Sequence, residues 1–506
     1  MISTVKRIYL SDRLPIYVIT VGAFLRIYQY LYCKSLWIDE AALALNIINR
    51  PFSGLIEHLD YNQYAPLGFL FVEKAITLVF GNSEYSLRLF PLICGLISLP
   101  LFYSLSKKVL KKESVPVALI IFITTWSLLY YSVEAKQYAC DVMATMLLYL
   151  ALLYAEKKEY DLKTSLVLAL LGSIMIWFSH PLIFVMAGAG TTLIIFSIWE
   201  REWKKLYAVI PILLFWLLSF AADYFSFSTV KNEMDKKWLF GYWSIHFAPF
   251  PITSASDLMW YYEHFVSIFK NKLMLGMYPL SGFWIVFFLI GTFSLFHRNK
   301  KLILFMIMPF FFTLAASALK LYPFYERLLL FLIPIPILLI SEGIVETLKR
   351  CAKSRVATAI MALLLVTLLI CSFVKKGNYL FIPIQREEIR PVLNYMKAHW
   401  EPGDVIYTYH GAIHQFLYYA PRYGFDDEPV YSDSLIRKNP YIYSFELNRI
   451  RGEKRVWVIF SHIYREETIE EMKRSYLDRL DKAGRRVDSF NSVASSVFLY
   501  DLSADK

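Results

Sequence analysis

The stretch Ala65–Phe80, APLGFLFVEKAITLVF, decides the topology of the chain. It is apolar enough to be taken for a membrane span, but it is short, and Glu73-Lys74 interrupts its middle. If it crossed, every later connection would change sides. The basic clusters Lys107/Lys108/Lys111/Lys112, Lys157/Lys158/Lys163, Arg201/Lys204/Lys205, His297/Arg298/Lys300/Lys301 and Lys349/Arg350/Lys353/Arg355 fall on every second connection. Cytoplasmic loops carry the excess of Lys and Arg, and one extra crossing would turn all of these outward. The stretch therefore reads as a helix lying on the outer surface, inside a long first loop 34–85. A second, amphipathic helix starts that loop at Glu40–Ile48.

Around this loop the chain is a polytopic α-helical membrane protein. Of its 506 residues 57% are hydrophobic and only 19% charged, against about 25% in soluble domains. Apolar runs near the roughly 20 residues of a span occur at about 14–33, 86–106, 115–132, 139–156, 164–179, 181–199, 206–222, 279–296, 302–319, 327–345 and 356–374. About eleven transmembrane helices with the N-terminus inside follow. The first run ends in aromatics and Lys34 with no small-residue cleavage site, so it reads as a retained span. The net charge of +11 belongs to the inner loops and does not argue for nucleic acid. Five scattered cysteines form no CxxC or zinc spacing and read as packing residues.

Past Phe373 the composition turns charged. A helix is predicted at Glu387–His399, a strand at Asp404–His410, a helix at Ala412–Tyr419, a strand at Arg455–Ser461, a helix at Glu466–Lys482 and strands at Arg486–Phe490 and Ser495–Leu502. The domain organisation is a transmembrane domain 1–376 carrying loop 34–85, and a soluble α/β domain 377–506. An odd number of spans puts the second domain outside the cell or inner membrane.

The outer side collects the ionisable residues. Asp39 and Glu40 sit just past the first span; adjacent helical residues point about 100° apart, so one carboxylate can face a site while the other holds the loop or caps a helix. The short second outer loop carries Glu134-Ala135-Lys136-Gln137-Tyr138, where charges at membrane depth mark function unless they form a surface pair. His180-Pro181 turns the chain between the fifth and sixth runs. Glu84 and Arg88 most simply pair with each other. Tyr61-Asn62-Gln63-Tyr64 offers hydrogen-bonding side chains before the surface helix. Tyr325 and Arg327 precede the tenth run, where an arginine binds phosphate through its planar fork or snorkels to lipid headgroups. The long loop 223–278, with Trp238, Tyr242, Trp243, Trp260, Tyr261 and Tyr262, is either an aromatic belt or a substrate surface. Carboxylates suit a general base, cations a phosphate leaving group, and aromatics sugar or lipid. Together they fit glycosyl transfer from a lipid-linked sugar phosphate.

The motifs Ser35-Leu36-Trp37-Ile38-Asp39-Glu40-Ala41, Ala65-Pro66-Leu67-Gly68-Phe69-Leu70-Phe71 and Ser83-Glu84-Tyr85-Ser86-Leu87-Arg88-Leu89-Phe90-Pro91 resemble those of GT-C membrane glycosyltransferases. The chain is most similar to glycosyltransferase family 39, the protein O-mannosyltransferases and the lipid A aminoarabinose transferase, in its bacterial form. Ser132-Val133-Glu134-Ala135-Lys136-Gln137-Tyr138 resembles the family's Q-E-A-R-x-Y with Lys136 in place of Arg, and Phe178-Ser179-His180-Pro181 also matches. The resemblance implies a GT-C fold, a polyprenyl-phosphate-sugar donor and inverting transfer to a lipid, glycan or protein acceptor. It implies Asp39 and Glu134 as catalytic carboxylates, Glu40 and His180 in supporting places, and Lys136 and Arg327 on the donor phosphate. Tyr61, Asn62, Tyr64, Tyr138 and Tyr325 are the candidate substrate contacts. Some GT-C enzymes hold a divalent cation, Mg or Mn, through such carboxylates, and Asp39 and Glu134 would be its ligands. The C-terminal domain is not the β-trefoil of eukaryotic O-mannosyltransferases. Two other functions compete: a flippase for lipid-linked sugars, which calls for polar residues and broken helices inside the spans, and a non-catalytic glycan assembly protein.

Overall fold

The structure, a computed structural model, describes residues 13–228, 241–270, 281–435, 443–444, 446–463 and 467–503. The chain forms two compact units. The first comprises Met1–Tyr32, Ala65–Ile76 and Arg88–Pro383; the second Cys33–Tyr64, Thr77–Leu87 and Ile384–Lys506. The sequence attached the whole first outer loop to the transmembrane domain, whereas the contacts group residues 33–64 with the C-terminal ones.

The first unit is helical throughout its described residues. Its helices are α1 (Leu14–Leu31), α3 (Leu67–Phe80), α4 (Glu84–Val109), α5 (Ser114–Thr124), α6 (Trp126–Tyr130), α7 (Tyr138–Lys157), α8 (Leu162–Met175), α9 (Leu182–Trp199), α10 (Trp203–Ser228), α11 (Ala255–Lys270), α12 (Ser281–Arg298), α13 (Lys300–Ala318), α14 (Pro334–Cys351) and α15 (Arg355–Phe381), with α2 in the second unit. Among the described residues each of the eleven apolar runs is largely helical. Among the described residues seven helices are long and apolar enough to cross a membrane, or up to nine if each of two bent pairs is one span. The run at 164–179 gives the shorter apolar helix Leu162–Met175, and the run at 356–374 lies within the 27-residue α15.

Two of the runs, 115–132 and 327–345, are bent. Ser114–Thr124 and Trp126–Val133 meet at 57°, and Glu326–Leu332 and Pro334–Cys351 at 62°. Thr125 takes an extended backbone (ψ 111), and Pro334 has no N–H to continue the preceding turn. Both breaks adjoin predicted site residues, Glu134 after the first and Arg327 in the second. Non-helical backbone at membrane depth is tolerated where it is covered by protein or lines a cavity.

Helix crossings use glycine. A Cβ on Gly291 of α12 would lie 1.8 Å from the Leu339 carbonyl oxygen of α14, and one on Gly343 would lie 1.9 Å from that of Phe287. Only two bare Cα atoms let these backbones approach so closely. Gly68 of α3 is held the same way, its N–H donating to the Trp177 carbonyl at 2.8 Å. In α3 Glu73 is fully buried and Lys74 nearly so. The C-terminal end of the helix, Leu78, Val79 and Phe80, is exposed.

The second unit is an α/β fold. Its sheet has the order β2-β1-β5-β7-β6, with β1 Val405–Thr408, β2 Val430–Ser432, β5 Val456–Ser461, β6 Arg485–Ser492 and β7 Ser495–Asp501; β3 (Ser434–Leu435) and β4 (Tyr443–Ser444) form a separate small ribbon. β1 runs parallel to β2 and β5, and β7 antiparallel to β5 and β6. The central strands are buried on both faces, so they read as continuous apolar runs. Three helices accompany the sheet, α16 (Ile389–Ala398), α17 (Ile413–Tyr423) and α18 (Glu467–Ala483), together with α2 (Ile38–Asn49) from the first loop. Tyr407, Val456, Val458, Phe460 and Tyr500 centre the core.

Candidate functional site

In the second unit the Cys33–Ile38 segment is hydrogen-bonded residue by residue into the α/β fold. Arg390 donates to the Cys33 carbonyl. Glu388 accepts from Ser35 Oγ at 2.7 Å. Tyr419 accepts the Leu36 N–H at 2.9 Å, Gln415 donates to the Leu36 carbonyl at 2.7 Å, and Glu387 accepts the Ile38 N–H at 2.9 Å. The carboxylate of Glu84, which the sequence alone pairs with Arg88, holds two arginines from much later in the chain: Arg422 at 2.7 Å and Arg390 at 3.3 Å.

This anchoring delivers α2, whose first turn carries the acidic pair. Glu40 is fully buried and accepts the Trp37 N–H at 3.3 Å. It reaches back to an orphan donor at its own helix start, as the acidic member of a capping box does. Asp39, one position earlier, stays partly exposed. Burial pushes the imidazole of His414, the second residue of α17, down, and the negative charge of Asp39 pulls the other way. The Tyr61 ring lies 4.5 Å from the His414 ring at 45°, and Tyr61 and Asn62 both take left-handed backbone (φ 62 and 53). Tyr64 packs on His58 at 6.0 Å. The structure thus brings Asp39 and Tyr61 to one histidine that the sequence reading did not single out. No periodicity marks His414; only its place just after a strand could have flagged it.

In the first unit Glu134 is fully buried, and Lys136 and Tyr138 are nearly so, which rules out a solvated surface pair. The backbone turns sharply there, the Lys136 N–H donating to the Glu134 carbonyl at 2.7 Å. α7, which starts at Tyr138, packs on the 3-10 helix Glu326–Leu332 that carries Arg327. Burial, and then Asp141 and Tyr138, push the Tyr322 phenol well above its ordinary range, so these three side chains share one environment. His180 faces a buried carboxylate, its Nε2 3.3 Å from Asp223.

The described part of the long outer loop converges on Tyr325. The His246 ring lies tilted against it at 3.9 Å and Trp243 at 5.6 Å, while Trp260 stacks on His264 at 3.7 Å and His246 and His264 lie 6.5 Å apart. Burial and the neighbouring His264 push His246 down to about 4, leaving an uncharged aromatic platform. Trp238 lies outside the described residues. Among the described residues no group of three or more His, Cys, Asp or Glu side chains is placed to hold a metal ion.

Residues 64–224 match the family model described as dolichyl-phosphate-mannose-protein mannosyltransferase. No curated protein matches the chain by sequence. Two solved structures of ArnT from Cupriavidus metallidurans, one apo and one bound to undecaprenyl phosphate, share the fold with a TM-score of 0.54 at 10% identity. They cover 96% of this chain and 97% and 98% of ArnT. The oligosaccharyltransferase AglB from Archaeoglobus fulgidus, in complex with an inhibitory peptide and a dolichol-phosphate, matches with a TM-score of 0.50 at 10% identity. That match covers 96% of this chain and 74% of AglB. The matched family model thus covers residues 64–224, and the chain as a whole has a fold similar to that of ArnT.

Proposed function

We propose that the protein moves a sugar, with inversion, from a polyprenyl-phosphate-linked donor to a hydroxyl of a lipid, glycan or protein acceptor at the outer face of the cell membrane, where the C-terminal unit also lies. The observation that carries this reading is the division of labour in the acidic pair. Glu40 is consumed in capping α2, and Asp39 is left at the partly exposed side of the same turn. Asp39 takes the proton of the acceptor hydroxyl as general base. The acceptor oxygen bonds to the anomeric carbon as the bond to the phosphate oxygen breaks, and its electron pair leaves on the phosphate. Lys136 and Arg327 stabilise that growing charge; Glu134 orients the reacting groups, with His180 in support. Tyr61, Asn62, Tyr64, Tyr138 and Tyr325 contact the sugars. The ArnT structure with undecaprenyl phosphate and the AglB structure with a dolichol-phosphate support the class of donor lipid.

The two bent spans favour a second reading, a flippase, because broken helices at membrane depth also suit transport. Consumption of donor by protein in detergent, with no membrane gradient, separates the two. Mass spectrometry of the lipid that co-purifies with the protein names the donor. With that donor, Asp39→Asn lowers transfer by about 100-fold or more while the protein still binds the lipid. Normal turnover of that variant refutes the assignment.

A further inference from the structure

We infer that His414 binds the acceptor hydroxyl beside Asp39, so that the α/β unit contributes a substrate residue to the transfer. The inference rests on the proposed role of Asp39.

Sheet topology leads to the place. After β1 the chain passes through α17 to β2 on one side, and β5 lies on the other side of β1. The order therefore reverses between β1 and β5. In open α/β sheets ligands bind outside the carboxyl ends of the strands at such a reversal. The segment after β1 is His410-Gly411-Ala412-Ile413-His414, and the residue after β5 is His462. The two ends touch: a Cβ on Gly411 would lie 3.0 Å from the Ser461 carbonyl oxygen and 3.2 Å from His462 Cβ. His410 and His462 are already engaged, His410 Nδ1 with Asp433 at 3.0 Å and His462 Nδ1 with Glu387 at 2.6 Å. Glu387 in turn accepts the N–H of Ile38, next to Asp39.

His414 differs from both. Among the described residues its Nδ1 is buried with no hydrogen-bond partner. An imidazole nitrogen held dry without a partner is costly, and a hydroxyl arriving from a substrate would satisfy it. Its ring is seated against Tyr61 at 4.5 Å, and Asp39 is the charged group that acts on it. Burial pushes the imidazole down to about 4, against the pull of Asp39. At neutral pH His414 is therefore uncharged. A neutral imidazole can take a hydroxyl without neutralising the carboxylate that must remove its proton. In the step, the proton passes from the acceptor oxygen to Asp39, the new bond forms to the anomeric carbon, and the phosphate leaves with the electron pair of the old one.

Asparagine places a polar group near the Nδ1 position and glutamine near Nε2. The test uses full-length purified protein, the donor identified from its co-purified lipid, and envelope vesicles of the producing organism as acceptor, titrated at fixed donor. His414→Ala raises the apparent acceptor KM by about tenfold, with undecaprenyl phosphate binding unchanged. His414→Asn returns KM to within about threefold of the native value and His414→Gln does not. An unchanged KM in His414→Ala overturns the inference, as does equal rescue by both amides. If the alanine variant does not fold, the comparison of the two amides decides. Asp39→Asn measured alongside separates the layers. Lost transfer there with a silent His414→Ala removes only His414, and normal transfer there removes the base itself and the inference with it.

Discussion

Replacing Glu84 by Ala should loosen the α/β unit without melting the membrane helices. The Glu84 carboxylate is 5% exposed and accepts from Arg422 Nη1 at 2.7 Å, Tyr419 Oη at 2.9 Å and Arg390 Nη1 at 3.3 Å. A hydrogen bond to a charged group contributes about 1.5–3 kcal/mol. The two arginine side chains are 29% and 30% exposed, so water takes over much of their loss and each is discounted to about 1 kcal/mol. Tyr419 is fully buried and keeps the undiscounted cost. The total comes to about 3.5–5 kcal/mol, which is more than 100-fold in an opening equilibrium. Hydrogen exchange read by mass spectrometry on the intact protein measures this directly, because protection reports local opening. Peptides of α16 and α17 should exchange at least roughly 100-fold faster, and peptides of α7, α9 and α13 should not change. Acceleration of less than threefold in α16 and α17, or equal acceleration in the membrane helices, refutes the reasoning.

Two further outcomes follow from packing. Gly343→Ala puts a methyl 1.9 Å from the Phe287 carbonyl and must part α12 from α14. Overpacking of this kind costs about 1–3 kcal/mol or more, and the yield of monodisperse protein on size exclusion should fall. Gly282→Ala, with nothing within 4 Å of its Cβ, is the silent control. Glu73 has both carboxylate oxygens buried without hydrogen-bond partners among the described residues, and burial raises its pKa well above the ordinary value. A raised carboxyl supports folding fully below its unfolded pKa and loses that support as pH rises toward the folded one. Glu73→Gln should therefore flatten the fall in melting temperature between pH 5 and pH 8. At pH 8 it should raise that temperature by about 2–4 °C for each ~1 kcal/mol released. An unchanged pH slope would show that the carboxyl is ionised and satisfied.

Much of this architecture is legible in local pattern, because local pattern is what burial imposes on a chain. The apolar runs become helices, and the strand at Asp404–His410 and the helix at Glu466–Lys482 appear as Val405–Thr408 and Glu467–Ala483. The separation of Glu40 from Asp39 is legible as well, since 100° per residue cannot aim both carboxylates one way. Three things are not. β2 is three residues long and half-buried, too short to show a period. Glu73 sits beside Lys74 in an otherwise apolar stretch, and the face it presents depends on Gly68 meeting Trp177, about a hundred residues later in the chain. The partners of Glu84 lie 306 and 338 residues away, and no periodicity reports a contact of that span. His414 belongs with these: its meaning comes from Asp39, a residue in another segment of the chain.

The second unit is made of three separated pieces, and this sets a schedule for its birth. Residues 33–64 leave the ribosome early, while their partners begin at Ile384. At about 5–20 residues per second the first loop waits roughly 15–65 s before the strands that complete it exist. During that interval Leu36, Trp37, Leu43 and Leu45, all buried in the finished protein, have no α/β fold to enter. A ribosome that stops anywhere after the last span leaves behind a membrane protein whose earliest outer segment is still unfinished, so quality control at the membrane can sense loss of the final hundred residues through the first loop.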